Sequence, residues 1–349
     1  VGESDGAQSL IGHAGFFLGL LHHGGQLLVV ADEHHLAYRG HSLGLHAEQT
    51  DDVRLQYLRG FIHDGQMEVL ESEQPGAGVQ RCCGAAEHER LLSRFRTADG
   101  YDPRFVYMLT RQGRMHSQIA DFPSLAFYSH KLQPVPLPHQ TAPLQTTTST
   151  HGIARMLTTH RLAFVCSERP TQIASPKTND VEARMIASIA YQAYLLCGDH
   201  FDTEQSIGII VPYRNQISAI RNAIDQYGIS ELHNISIDTV ERFQGSQRDY
   251  IIYGFTIQQR WQLNFLSSNT FKEEGAWIDR KLNVAMTRAR LQLTLVGNPQ
   301  LLAHNTTFGQ LMQYSRSQGA FLQVDTERFC RGDFEVQSRP DGLSAAQEE

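Results

Sequence analysis

Residues 279–298, DRKLNVAMTRARLQLTLVGN, constrain this chain more than any other stretch. Leu282, Ala285, Met286 and Ala289 fall at helical spacing, while Arg280, Lys281, Arg288 and Arg290 crowd the other faces. An apolar run from Leu291 to Val296 follows at once and ends at Gly297. A basic helix that feeds a buried strand delivers guanidinium groups to a fixed place at a sheet edge. Planar, forked donors there suit phosphate oxygens. The same spacing also suits an ordinary surface helix with charged residues.

The rest of the chain alternates in the same way. Strands are expected at Arg161 to Cys166, Ile207 to Val211 and Tyr250 to Phe255, with a short edge element in Gly319 to Val324. Asn179 or Asp180 can cap a helix over Val181 to Leu196. Pro212, Tyr213, Arg214, Asn215 and Gln216 open another through Ile224, and Pro299 to Tyr314 reads as a third. Met115, Ile119 and Phe122 form an apolar face that Pro123 should interrupt. Lys131 to Thr150, rich in Pro, Gln and Thr, reads as an extended surface connection, and Arg339 to Glu349 as a frayed tail. Upstream, a helix is expected over Gln8 to Leu21, closed by Gly24 and Gly25, then a strand from Gln26 to Ala31 that runs into Asp32 and Glu33. Ala85 to Phe95 is amphipathic, and Phe105 to Leu109 is a strand candidate. Strand and helix in turn predict an α/β fold, a parallel sheet with helices on both faces.

At 349 residues the chain is long enough for roughly two domains. Its formal net charge of -7 excludes the bulk basicity of a protein that coats nucleic acid non-specifically, although a local channel needs no such excess. The five cysteines, odd in number and irregularly spaced, give neither a disulfide framework nor a zinc pattern, and the 17 histidines are scattered, so no metal site is expected. No window of about 18 unbroken apolar residues occurs, and the apolar start has no basic leader, which points to a cytoplasmic protein with no membrane contact.

Several stretches, taken together, resemble superfamily 1 helicases of the two-lobed DNA/RNA branch. Leu282, Asn283, Val284, Ala285, Thr287, Arg288, Ala289 and Arg290 match the last motif of that family, LNVAxTRAR before a strand ending in GN. Gln112, Arg114, Met115, His116, Ile119, Phe122, Pro123, Phe127 and Tyr128 resemble its QYRMHPEIxxFPNxxFY segment, with Gly113 in place of an aromatic residue. Pro212, Tyr213, Arg214 and Gln216 resemble TPYRxQ, and Asn179, Glu182 and Ala183 resemble TNxxEA. Thr239, Val240, Phe243, Gln244, Gly245 and Asp249 resemble TVDSFQGxExD, with Gln247 where the family carries an acid. More weakly, Val30, Asp32, Glu33 and Leu36 resemble VGDEKQLPAV, with Ala31, His35 and Ala37 departing from it, and Glu89, Arg90 and Leu91 resemble the end of SLFERL.

The resemblance implies a RecA-like second lobe of the P-loop NTPase type over 101–325, the end of a first lobe and a connector over 1–100, and a tail over 326–349. It implies that Arg288 is the arginine finger facing the terminal phosphate of ATP, that Arg114 is a second guanidinium aimed at the phosphates, and that Gln112, Gln244, Gly245 and Gln247 lie on the nucleotide side. Pro212, Tyr213, Arg214 and Thr239 would meet single-stranded DNA or RNA. ATP and Mg2+ belong to the intact protein. The sequence contains no G-x-x-x-x-G-K-[ST] loop, so this chain by itself is expected to bind neither and to need a first helicase lobe as partner. The competing expectation is a helicase-like module that binds nucleic acid or protein without hydrolysing ATP. Trp261, Phe265 and Phe271, unevenly spaced in 257–277, suit base stacking or burial equally.

Overall fold

The computed structural model describes residues 110–338, except 174, 244–245, 269 and 274–275, together with 19–23, 26–30, 96–97, 100–101 and 106–107. The chain divides into two compact units, 16–109 and a larger one of 1–15 with 110–349.

In the smaller unit Gly19–His23 pairs antiparallel with Gln26–Val30, which pairs parallel with Val106–Tyr107; Arg96–Thr97 pairs with Gly100–Tyr101. The helix expected over Gln8 to Leu21 is therefore corrected at its end, where residues 19–21 are strand; 8–18 lie outside the described residues. Only Gly24 and Gly25 separate the paired ends His23 and Gln26. Gly24 and Gly25, expected to close that helix, lie outside the described residues. The amphipathic stretch Ala85 to Phe95, the Asp32-Glu33 pair and the frayed end Arg339 to Glu349 also lie outside the described residues; the first part of the tail expected over 326–349 is instead a helix, Thr326–Arg331, whose Phe329 stacks on Phe334 within the core of the larger unit.

The larger unit is built on six strands: β1 (Leu162–Cys166), β2 (Ile207–Val211), β3 (Ser236–Thr239), β4 (Arg248–Gly254), β5 (Ala289–Gly297) and β6 (Phe321–Leu322). Their order is β3-β2-β4-β5-β1-β6 and every neighbouring pair is parallel. Every residue of β1 and β2 is buried, as unbroken apolar runs require when both faces of a parallel sheet are covered. Ala163 and Val165 face one helical layer, formed by α2 (Gly152–Thr159), α3 (Asp180–Cys197) and α4 (Arg214–Asp225). Phe164 faces the other layer, where Phe255 meets Phe308 of α6 (Thr306–Ser317), and where α1 (Ser117–Phe127) and α5 (Arg280–Met286) pack. The expected α/β architecture is what the chain adopts.

Four details differ from the sequence reading. Helix α1 runs through Pro123 to Phe127. Phe122 packs edge-on against Phe127 and tilted against Tyr314, and burial of two aromatic rings outweighs the roughly 3 kcal/mol cost of an internal proline. The expected helix over Pro299 to Tyr314 is two, Pro299–Leu302 and α6, because Asn298 and Asn305 each accept a backbone N–H and start a separate helix. Pro212 does not lead α4 from inside its first turn but precedes the cap, Tyr213. The 131–150 connection is largely extended, yet Gln133–Pro134 pairs with Arg111–Gln112 and Gln140 is fully buried.

Eight residues, 240–247, return the chain from the end of β3 to the start of β4 past β2. That crossing needs Gly208: a Cβ there would sit 2.7 Å from both Phe243 and Arg248.

Candidate functional site

Parallel strands give the sheet two distinct ends, and the chemistry divides between them. At the amino ends of β4 and β5 lie Arg114 and Arg288. Arg114 Nη1 donates to the Thr287 carbonyl at 2.9 Å and Nε donates to Gln247 Oε1 at 3.0 Å. Arg288 donates from Nε to the Val284 carbonyl at 3.0 Å, from Nη2 to Thr287 Oγ1 at 3.2 Å and from Nη1 to the Ser246 carbonyl at 3.5 Å. Two arginines separated by 174 positions in sequence thus meet on Thr287 and on the 246–247 segment.

Both are held in advance. Gln112 Oε1 accepts from the backbone N–H groups of Arg114 and Met115, and Gln140 Nε2 donates to the carbonyls of Gln112 and Met115, which closes the loop that carries Arg114. Gln112 therefore positions Arg114. Burial lowers the Arg114 pKa to about 10, so it remains cationic at neutral pH. Arg288 is 0% exposed. Helix α5 is buried over its whole length, which corrects the picture of a basic helix with outward faces; Arg290 is committed to Asp249 at 2.7 Å. Gln247 touches Arg114 as a neutral acceptor where the resembling family carries an acid. Gln244 and Gly245 lie outside the described residues.

At the carboxyl ends of the strands, Thr239 is registered against Val211, so Thr239 lies beside Pro212, Tyr213 and Arg214. Tyr213 caps α4 without a side-chain acceptor and Arg214 is exposed. Gln216 is buried and holds the backbone of Asn179 from both sides, accepting at 2.7 Å and donating at 2.9 Å. Asn179 in turn caps α3 through the Glu182 N–H. The 240–247 crossover joins the two ends, since Thr239 precedes it and Gln247 concludes it.

The sequence singled out the aromatic residues of 257–277 but not the elements that carry them or the ring on which Phe265 packs, Tyr213. Between β4 and α5 the chain forms a helical stretch, Arg260–Gln262 followed by Leu263–Leu266, then the hairpin Thr270–Glu273 with Ala276–Asp279. Phe265 stacks on Tyr213 with ring centres 5.0 Å apart, and Lys281 Nζ sits 4.2 Å from the Phe265 ring centre and 3.4 Å from Glu241. Trp261 and Phe265 are exposed, so burial is not their role; the Phe271 side chain lies outside the described residues. The signal was present in the spacing, with Gln258 and Gln262, and Trp261 and Phe265, each four apart.

Among the described residues no three His, Cys, Asp or Glu side chains gather as a metal site, and no helix is long and apolar enough to cross a membrane.

Residues 88–300 match the AAA domain family, more than half of the chain, and the chain belongs to that family. It is a RecA-like AAA ATPase domain related to superfamily 1-type helicases. Among similar proteins, a probable helicase of Dictyostelium discoideum is 30% identical over 64% of this chain and 21% of its own length. The ATP-dependent helicase NAM7 of Saccharomyces cerevisiae is 28% identical over 75% of this chain and 25% of its own. The RNA helicase Mov10l1 of Mus musculus is 27% identical over 68% of this chain and 20% of its own. The chain thus spans a quarter or less of each of these relatives.

Proposed function

We propose that this chain supplies the second RecA-like lobe of an ATP-dependent DNA or RNA helicase or translocase, and works with a first lobe that carries the phosphate loop. The observation that carries the reading is the convergence of Arg114 and Arg288 on Thr287 and the 246–247 segment, eight residues from Thr239 at the other end of the sheet. Guanidinium donors suit the terminal phosphate oxygens of ATP, and their fixed placement favours charge that builds only during phosphoryl transfer. Mg2+ would be held by the first lobe, which supplies the remaining charge stabilisation. Arg114 and Arg288 orient donors; Gln112 and Gln140 hold Arg114; Gln247 occupies the place between Arg114 and the crossover. Thr239, Pro212, Tyr213 and Arg214 would meet the backbone of single-stranded nucleic acid, with the first-turn N–H groups of α4 as added donors.

The second reading, a lobe that binds nucleic acid without supporting hydrolysis, is favoured by Arg288 being fully buried and by the neutral Gln247 beside Arg114. One experiment separates them. In the protein that includes a first lobe, Arg288→Ala or Arg114→Ala should depress turnover roughly 10²-fold or more while nucleotide affinity changes less. Unfolding of the same variants is measured alongside. Near-normal turnover in folded Arg288→Ala removes the arginine-finger role and leaves the binding lobe.

A further inference from the structure

The helical stretch 260–266 turns Gln262 inward beside Leu263 and Leu266, and turns its two large aromatic residues outward. Gln262 is buried and saturated: its Oε1 accepts from the backbone N–H of Gln258 and of Gln259, both at 2.9 Å, and its Nε2 donates to the carbonyls of Pro176 and Thr256 at 2.7 and 3.2 Å. Gln258 is also buried and donates to the carbonyls of Ser175 and Thr178. The large aromatic residues face the other way: Trp261 is 58% exposed and Phe265 42%. An ordinary surface helix buries its aromatics and shows its amides to water.

The segment is also launched under constraint. Thr256, a β-branched residue, has φ +51, and its N–H donates at 2.7 Å to Glu182 Oε2, whose other oxygen accepts from Ser167 Oγ. Backbone in that region is costly for such a residue and persists where the surroundings over-determine it. Buried amides and a strained entry together fix the direction of two exposed rings. Trp261 lies one helical turn before Phe265, whose ring is already stacked on Tyr213 and carries the Lys281 ammonium.

We propose that Trp261, backed by the Tyr213–Phe265 stack that Lys281 holds in place, is a base-stacking platform for single-stranded nucleic acid. The inference rests on the proposed nucleic-acid edge at Thr239 and Arg214, and adds to its backbone contacts a contact with the base itself. The occupant follows from the neighbours: the rings continue from Tyr213, the exposed Arg214 is its next residue, and every base offers a π face to an indole. A protein partner is the alternative outcome.

The chain has two tryptophans, Trp261 and Trp277, both on this insertion, so intrinsic fluorescence reads it directly. In Trp277→Phe protein, titration with an oligo-dT single strand at low salt should quench the remaining Trp261 emission. An abasic strand of equal length should bind more weakly and quench little. Trp261→Ala should weaken oligo-dT binding, followed by anisotropy, roughly tenfold, and should narrow the gap between the two strands. Its salt dependence should stay as in the unsubstituted protein, because phosphate contacts are untouched. Binding seen by anisotropy with unchanged Trp261 emission and equal affinity for both strands overturns the platform and leaves the backbone edge in place. No binding of either strand overturns both.

Discussion

Glu182→Gln tests how the structure holds the carboxyl ends of its strands. The Glu182 carboxyl is fully buried on α3, accepts from Ser167 Oγ at 3.1 Å and accepts from the Thr256 N–H at 2.7 Å. Burial raises its pKa to about 8 from an ordinary 4.5, against the two hydrogen bonds that favour the charged form. Because the folded value lies above the unfolded one, the folded state binds the proton more tightly. The group's stabilising contribution is complete below about pH 4.5 and is lost as pH rises towards 8. A rise from pH 5 to pH 8 should therefore cost about 3 to 4 kcal/mol through this residue alone, at about 1.4 kcal/mol per unit of pKa difference. Glutamine is isosteric and cannot ionise. Its amide oxygen can accept from Thr256 and its NH₂ can donate to Ser167 Oγ, so no buried polar atom is abandoned. Urea unfolding of both proteins at pH 5, 6, 7 and 8 gives the comparison. Asp279, buried and raised to about 6, adds a shared loss with pH that cancels in the difference. The variant should be close to the parent at pH 5 and more stable by several kcal/mol at pH 8. Parallel pH profiles would refute the assignment of a protonated, buried Glu182.

Three further outcomes follow from the two ends of the sheet. Affinity for single-stranded nucleic acid should be weak for this lobe alone and should fall with added salt; Arg214→Ala should reduce the slope of log affinity against log salt by about 1, measured by anisotropy across a salt series. Thr239→Ala should weaken binding to every sequence alike, since the contact is to the backbone, and a base-dependent loss would contradict it. This chain alone, without a phosphate loop in its sequence, should release no phosphate from ATP, and reproducible Mg2+-dependent release that Arg288→Ala abolishes would overturn the division of labour proposed for the two lobes.

The sequence by itself determined the elements whose signal is local. Two apolar runs, Leu162–Cys166 and Ile207–Val211, are strands because five adjacent buried residues suit a strand covered on both faces, as in a parallel sheet. Asn179 starts α3 because its side chain takes a backbone N–H of the first turn, a contact that depends only on residues nearby. The motif order also carried the family resemblance that the AAA domain match supports. What tertiary structure decided are the outcomes of competition between distant groups. Residues 19–21 suit the end of a helix or the start of a strand, and pairing of Gly19–His23 with Gln26–Val30 made the choice. Pro123 stays inside α1 because Phe122 and Phe127 are buried against other elements. Arg114 and Arg288 meet only because the sheet order sets β5 beside β4 and the loop before β4 brings Gln247 to Arg114. The exposure of Trp261 and Phe265 was undecided in sequence, since helical spacing defines two faces but not which one is buried. Burial of Leu263 and Leu266 took Gln262 inward with them, where its amide finds partners for its donors and its acceptor, and left Trp261 and Phe265 on the outer side.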